Sequence, residues 1–184
     1  MIEDILSVRE LAKSDIELIA SYWLCSEKTH LENMGVEISK MPTKDQFVTY
    51  MESQVETPMG QKQSYCIIWQ LNNTPVGHSN TRPTIFAKEA FMHLHLWDTV
   101  NRRRGIGNQF VKLTLPYFFE NLQLENLYCE PYALNAAPNK TMQKAGFDFV
   151  KEYITTPGPS NFEQPVKQWV LTREKYTQLY MIST

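Results

Sequence analysis

The chain of 184 residues has few cysteines and lacks the long apolar runs of membrane proteins. Its three cysteines, Cys25, Cys66 and Cys129, are odd in number and form no Cys-x-x-Cys pair, so neither a disulfide framework nor a thiolate zinc site is indicated. No apolar run approaches the roughly 18 residues of a membrane helix, and the first residues lack the basic segment of a signal peptide. We therefore expect a cytoplasmic protein that makes no membrane contact.

The chain also lacks an excess of basic charge, since its formal net charge is -2. This balance argues against a protein that binds nucleic acid through a broad basic surface. The remaining composition, with 42% apolar and 21% charged residues, is that of an ordinary globular protein. We predict a single domain over residues 1–184.

Hydrophobic periodicity predicts one strand, two helices, three strands, a helix, a strand, a helix and two final strands. Ser14 and Thr43 each begin a capping-box pattern for the early helices, and Asn72-Asn73 is typical of a hairpin turn. Pro116 predicts a kink in the third helix. This order favours an α/β protein in which helices cover the faces of a mixed sheet.

One stretch combines a strand, a short turn and the start of a helix, over residues 91–110. The turn and the first helical positions read Arg102, Arg103, Arg104, Gly105, Ile106, Gly107, Asn108. Small residues at a helix N-terminus let backbone N–H groups approach an anion, so the turn is a candidate anion site. A solvated basic turn is the alternative. Phe110 stands where a dinucleotide-binding motif needs its third glycine, which excludes that motif.

The strand before this turn carries two histidines on one face. Alternation places His93, His95 and Trp97 on the same side of the sheet. A histidine is half deprotonated near neutral pH, so either ring is a candidate general base, and packed structural histidines are the alternative. No third ligand for a two-histidine metal site is apparent, so no metal is predicted.

Two separated blocks resemble the GNAT superfamily of N-acetyltransferases. Residues 102–107 match its Arg/Gln-x-x-Gly-x-Gly/Ala pattern, and residues 135–147 resemble its second motif, with an early Asn, a helix and Lys-x-Gly-Phe. The motif-bearing core covers about residues 71–172. The resemblance implies the acyl-CoA N-acyltransferase fold, with a mixed, mostly antiparallel central sheet of about six to seven strands and helices on both faces.

The resemblance also implies a cofactor site. Acetyl-CoA is the expected co-substrate, without a metal, and its pyrophosphate is expected on the backbone N–H groups of residues 103–108, with one or more of the three arginine side chains. The family pattern places Trp97 where the strand splays from its neighbour and its backbone pairs with the pantetheine arm. Asn135 and Asn139 match positions that contact the cofactor or a water in the site.

The proton route is less defined by the resemblance. Many members carry a tyrosine that protonates the leaving thiolate, where this chain has Met142, whose thioether donates no proton. Tyr132, which follows a strand end, is the better-placed alternative acid. Glu130 lies in a Glu-Pro-x-x-x-Asn pattern found in some branches and is a second candidate base. A packed aromatic and a structural anchor are the alternatives for these two residues.

The expected activity is transfer of the acetyl group of acetyl-CoA to a primary amine by direct attack. The acceptor is expected to be a small-molecule amine or a protein N-terminal amine, bound by residues 26–41, by the loop near Pro83 and Phe86, and by residues 156–164. Four carboxylates in these segments are candidates to receive a cationic amine: Glu27, Glu32, Glu37, Glu163. An inactive acyl-CoA sensor or scaffold of the same fold is the alternative. Family members often dimerise, so a homodimer is one expectation.

Overall fold

A computed structural model describes residues 4–98 and 105–182. Seven strands form one sheet in the order β1, β2, β3, β4, β5, β7, β6. Neighbouring strands are antiparallel except for the parallel pair β4 and β5. The strands are β1 (Leu6–Glu10), β2 (Tyr65–Leu71), β3 (Thr74–Ile85), β4 (Glu89–Leu96), β5 (Asn126–Cys129), β6 (Asp148–Thr155) and β7 (Gln164–Thr172). The predicted mixed, mostly antiparallel α/β architecture is confirmed.

Helices pack on both faces of this sheet. They are α1 (Ile16–Cys25), α2 (Lys28–Asn33), α3 (Lys44–Glu56), α4 (Ile106–Pro116), α5 (Ala136–Lys144) and α6 (Arg173–Tyr176). One core lies between the sheet and α4, where Phe110 stacks on Trp69 with the ring planes 6° apart. A smaller core on the opposite face joins α1 and α3 to Ile68. No helix among the described residues is long and apolar enough to cross a membrane.

Most local signals in the sequence are confirmed. Thr43 and Gln46 form the predicted capping box of α3, and Asn72 and Asn73 both adopt the positive φ of a two-residue hairpin turn. The helix α4 ends at Pro116, and one π-helical turn follows it. This interruption is what the missing backbone donor of proline predicts.

Two predictions about the early segment are wrong. Ser14 does not cap α1; instead the Asp15 carboxylate accepts a hydrogen bond from the Ala12 amide and pairs with Arg9 at 2.6 Å. The predicted order also places no helix between the two early helices, whereas residues 26–41 contain the short helix α2. A helix of six residues is too short to show a hydrophobic period, and its burial of Leu31 supplies the stability that local sequence lacks.

A buried hydrogen bond ties α4 to the sheet. The Trp69 indole N–H donates to the Thr114 hydroxyl at 2.9 Å, and both side chains are fully buried. We expect Thr114→Val to lower the free energy of unfolding by about 1–3 kcal/mol, because it leaves the indole N–H unpaired. Urea unfolding measures this. In the Trp69→Phe background the same change should cost much less, and an equal cost in both backgrounds would contradict the assignment.

Candidate functional site

The parallel pair at the centre of the sheet opens into a cleft. The strands β4 and β5 pair only from Glu89 to Phe91, opposite Asn126 to Tyr128. Beyond that point β4 continues to Leu96, whereas β5 ends at Cys129. The two strands therefore splay apart after Phe91, six residues before the position that the family pattern had suggested, Trp97.

The backbone amides of β4 point alternately toward β3 and toward this cleft. The Trp97 amide donates to the Val76 carbonyl oxygen at 2.9 Å, within the sheet. Because successive amides of a strand point to opposite edges, the Leu94 amide is directed to the side where β5 no longer pairs. The Trp97 amide is thus engaged with β3, and Leu94 presents its amide to the cleft.

The helix α4 begins at the edge of the cleft with Gly105, whose φ is +76°. A Cβ at Gly105 would meet no atom of the described residues within 4 Å, so the space above this backbone is open. The first N–H groups of a helix have no intrahelical acceptor, and the helix dipole favours negative charge there. The Asn108 Oδ1 atom is buried and has no hydrogen-bond partner among the described residues.

These features fit the phosphates and the amide-bearing arm of coenzyme A. The α4 N-terminus with Gly105 suits the pyrophosphate. The unsatisfied Asn108 Oδ1 atom can accept a hydrogen bond from an N–H or O–H group of the ligand. The predicted phosphate ligands Arg102, Arg103 and Arg104 lie outside the described residues, so their role stays a prediction.

The two asparagines of the second motif lie at the start of α5. Asn135 is its N-cap residue, and its side chain makes no capping hydrogen bond. Asn139 is buried, and its amide donates to the Tyr132 and Asn135 carbonyl oxygens and accepts from the Trp169 indole at 2.9 Å. Asn139 therefore holds the turn between β5 and α5 in place.

The histidine face of β4 meets a third histidine that sequence reasoning missed. His78 on β3 pairs in register with His95, and their rings stack with centroids 4.8 Å apart. The Trp97 indole N–H donates to His78 Nδ1 at 2.8 Å, so that nitrogen carries no proton. Burial lowers the pKa of His78 to about 3, and its ring is therefore neutral. The only sequence signal for it was a polar residue within a predicted strand.

A fourth histidine approaches the same cluster through Tyr22. The Tyr22 hydroxyl lies 3.3 Å from His30 Nε2 and 3.4 Å from His95 Nδ1. Trp23 contacts the His95 ring edge-on, with centroids 4.7 Å apart. All four histidines of the chain thus lie in one region, formed by α1, α2, β3 and β4.

His93 is oriented by the backbone of Arg82. Its Nε2 lies 2.8 Å from the Arg82 carbonyl oxygen, which can only accept, so Nε2 carries the proton and Nδ1 has its lone pair available. Burial lowers the pKa of His93 below its usual value of 6.5, although the nearby Glu130 carboxylate opposes this shift. His93 is therefore in its basic form at neutral pH.

Glu130 and Tyr132 follow the end of β5. The Glu130 Oε1 atom accepts from the Tyr153 hydroxyl at 2.6 Å and from the Gln168 amide at 2.5 Å. The ring of Tyr132 packs edge-on against Phe162, and its backbone forms a bridge with Val166. Neither residue lines the cavity described next. Their catalytic roles stay predictions.

A cavity of about 690 Å³ opens over the histidine face of β4. Its floor includes His78, His93 and His95, and its walls come from α1, α3, residues 34–42 and residues 157–161. This volume is typical of a site for a small organic ligand. The segments predicted to bind the acceptor do supply its walls, and Pro83 lines it as well. Phe86 does not, because it packs over Gly60.

The two loop walls are joined at Gly35. The Gly35 carbonyl oxygen accepts from the Asn161 amide at 2.8 Å and from the Gln164 amide at 3.3 Å. The Glu37 amide donates to the Ser160 carbonyl oxygen at 2.8 Å. These contacts link segments more than 120 residues apart in the chain and give the cavity a continuous rim.

The four carboxylates predicted to receive a cationic amine do not line the cavity. Among the described residues that line it, none is acidic, and the two that carry a charge are Lys40 and Arg82. The structure also brings together no group of three His, Cys, Asp or Glu side chains that could hold a metal ion, within residues 4–98 and 105–182.

Structural comparison finds the same fold in several solved acetyltransferases. Spermidine N-acetyltransferase from Vibrio cholerae, in complex with CoA and spermine, has a TM-score of 0.75 and 14% identity over 93% of this chain and 97% of that one. The ribosomal L7/L12 alpha-N-protein acetyltransferase RimL, in complex with coenzyme A, has a TM-score of 0.73 and 10% identity over 92% and 95%.

A third neighbour is the aminoglycoside acetyltransferase AAC(6')-Ib in complex with coenzyme A and kanamycin, with a TM-score of 0.70 and 15% identity over 95% of this chain and 99% of that one. No curated protein sequence matches the chain. The family model for the acetyltransferase (GNAT) domain matches residues 6–148, which extends the resemblance from the two motifs to the first strand. The chain therefore belongs to the GNAT family of acetyltransferases.

Proposed function

We propose that this acyltransferase moves the acetyl group of acetyl-CoA to a primary amine bound in the cavity. The observation that carries the proposal is the position of β4, which separates the two halves of the site. Its histidine face forms the cavity floor, and the edge beyond Phe91, where β5 no longer pairs with it, borders the cleft next to α4. The neighbours named for spermidine, aminoglycoside and protein N-terminal acceptors support an amine as the acceptor.

Each residue has a distinct role in this proposal. The α4 N-terminus from Gly105 to Asn108 binds the pyrophosphate, and the Leu94 amide polarises the thioester carbonyl at the cleft. His93 Nδ1 takes the proton that the amine loses, directly or through a water. His78 holds His95 and Trp97 in place through its ring contacts.

A panel of primary amines tests the proposal by the release of free thiol from acetyl-CoA. Release that depends on both the amine and the enzyme is the expected result. Met142 is fully buried at the position where many family members carry the thiolate acid, and this favours the sensor as the second candidate. A sensor binds acetyl-CoA in a calorimeter and releases no thiol with any amine, which would contradict the proposed transfer.

Replacing Gly105 by valine tests the proposed cofactor site. A β-branched residue is strained at a φ of +76°, and its side chain would fill the open space above the α4 N-terminus. We expect acetyl-CoA affinity to fall by about tenfold or more, because the phosphate loses its approach to the backbone N–H groups. Isothermal titration calorimetry measures this.

Gly107→Ala is the matched control for this change. A Cβ at Gly107 would make ordinary contact with Leu96 Cδ1 at 3.8 Å, toward the sheet. We expect its affinity for acetyl-CoA to stay within about twofold of the parent protein, since it leaves the N-terminal N–H groups exposed. Unchanged binding in Gly105→Val would rule out the α4 N-terminus as the phosphate site.

A further inference from the structure

The charged side chains among the described residues that line the cavity are of one sign. Among the described lining residues, Lys40 and Arg82 are charged and no carboxylate is present. The Glu130 carboxylate, which acts on the pKa of His93, lies outside the lining and is held by Tyr153 and Gln168. An acceptor with a second cationic group would therefore find no counter-ion among these described lining residues, and its transfer from water would be costly.

The two cations differ in their partners. Lys40 Nζ pairs with the Glu37 carboxylate at 2.5 Å and also lies 3.3 Å from the Asn161 carbonyl oxygen. Arg82 has no acidic partner among the described residues, and its guanidinium lies over the Tyr50 ring, 4.6 Å from the centroid. Arg82 is therefore the cation whose charge is left for a ligand.

Tyr50 adds a second unsatisfied group at the same wall. Its hydroxyl oxygen is buried and makes no hydrogen bond of good geometry in the part of the chain that the structure describes, although the Ser64 side chain lies near it. Buried polar groups of this kind are uncommon in folded proteins and often face a ligand or water. The Tyr50 ring holds the Arg82 guanidinium in place by a cation–π contact. The guanidinium and the Tyr50 hydroxyl can therefore bind the same polar group of a ligand.

The rest of the cavity lining is mainly apolar, and it includes Met34, Val36, Phe47 and Met51. This surface suits a hydrocarbon body that joins two polar ends.

We infer that the acceptor is an amine with an apolar body and a carboxylate at its far end, which Arg82 binds while the amine faces the histidines. The inference rests on the proposed function, because it names the acceptor class of that same site. A guanidinium binds a carboxylate through two parallel hydrogen bonds, which gives both affinity and orientation. The Tyr50 hydroxyl donates a third hydrogen bond to the same group.

Three matched series of acceptors test this inference by thiol release from acetyl-CoA. They are amino carboxylates, the corresponding amino amides and the corresponding diamines, each with butyl, hexyl and octyl bodies. We expect kcat/KM for the best amino carboxylate to exceed those of its amide and diamine partners by about tenfold, as a charge-assisted pair predicts.

Variants of Arg82 assign the preference to this residue. Arg82→Gln should reduce the ratio of kcat/KM for the amino carboxylate to that for its amide from about tenfold to about one, since the charged pair is lost. Arg82→Lys should retain part of the preference, and Arg82→Glu should shift it toward the diamines. Lys40→Gln, which removes a cation that Glu37 already pairs, should leave the preference in place.

This experiment distinguishes failure of the inference about the acceptor from failure of the proposed function. Thiol release that favours the diamines, or a carboxylate preference that survives Arg82→Gln, overturns the inference and leaves amine acetylation standing. No thiol release with any member of the three series, although acetyl-CoA still binds, removes the proposed function and the inference together. Thermal unfolding of each Arg82 variant checks that this exposed substitution leaves the fold intact.

Discussion

Replacing His93 by alanine is expected to lower kcat by about a hundredfold or more, which is the usual contribution of a positioned general base. The His93 Nε2–H group donates to the Arg82 carbonyl oxygen, so Nδ1 is the atom that accepts a proton. Steady-state rates with a good amine acceptor measure the effect. The parent protein and the variant should bind acetyl-CoA equally, because His93 lies on the cavity side of β4.

The pH dependence of the rate gives a sharper test. Burial lowers the pKa of His93 below 6.5, so the basic form persists to lower pH than for a histidine in water. If His93 is the base, the acidic limb of kcat/KM for the parent protein should lie below pH 6.5 and should disappear in the variant. The amine of the acceptor must also lose a proton before it can attack, and the rise in rate that this causes at higher pH should be the same in both proteins.

His93→Gln distinguishes a role of His93 as general base from a role as a structural support of the loop at Arg82. A glutamine amide can still donate to the Arg82 carbonyl oxygen, but it cannot take up a proton at neutral pH. We expect it to be as slow as His93→Ala. A rate near that of the parent protein would show that His93 only supports the loop at Arg82. His95→Ala, measured in the same way, decides between the two predicted bases, since an unaltered pH profile in both variants would exclude both.

Gly35→Ala is expected to lower the free energy of unfolding by about 3 kcal/mol, from left-handed backbone strain and overpacking together. Gly35 has a φ of +83°, and a Cβ there would overlap the side-chain amide of Gln164. Gln164 is buried and donates to the Gly35 carbonyl oxygen, so it has little room to move. Urea unfolding measures the change, and the acceptor KM should rise because the loop walls are joined here.

Gly60→Ala is the matched control for this prediction. Its φ is not in the left-handed region, and a Cβ would make ordinary contact with the Phe86 ring at 3.8 Å. We expect its stability to stay within about 0.5 kcal/mol of the parent protein, as for most surface substitutions. If Gly35→Ala is as stable as Gly60→Ala, then the link between the two loop walls is not rigid.

Local residue patterns were enough to predict most of the elements. The alternation of β4, the Thr43 capping box and the Asn72-Asn73 turn each depend on neighbours within a few residues, and all three are confirmed. The Ser14 box is wrong because Arg9, from the preceding strand, holds Asp15 instead. A contact between two elements overrides a local capping preference in this case.

Such local patterns could not predict the register of the sheet. His78 stacks on His95 because of cross-strand pairing between β3 and β4, which includes an irregularity between Thr81 and Thr84. The splay begins after Phe91 because β5 is only four residues long. A shift of one residue in either pairing would turn other side chains to the site, and no single segment encodes that choice.

The sequence by itself determined the family and the two histidines that share one face of β4, whereas its cofactor loop stays a prediction. These features are carried by residues close together in the chain, whose spacing has direct geometric consequences. Only the tertiary structure decided that four histidines gather in one region and that Leu94 presents its amide to the cleft. It also decided that the described part of the cavity wall contains Arg82 and no carboxylate. Those properties depend on which distant segments pack together, because long-range contacts and strand register place each side chain and each charge.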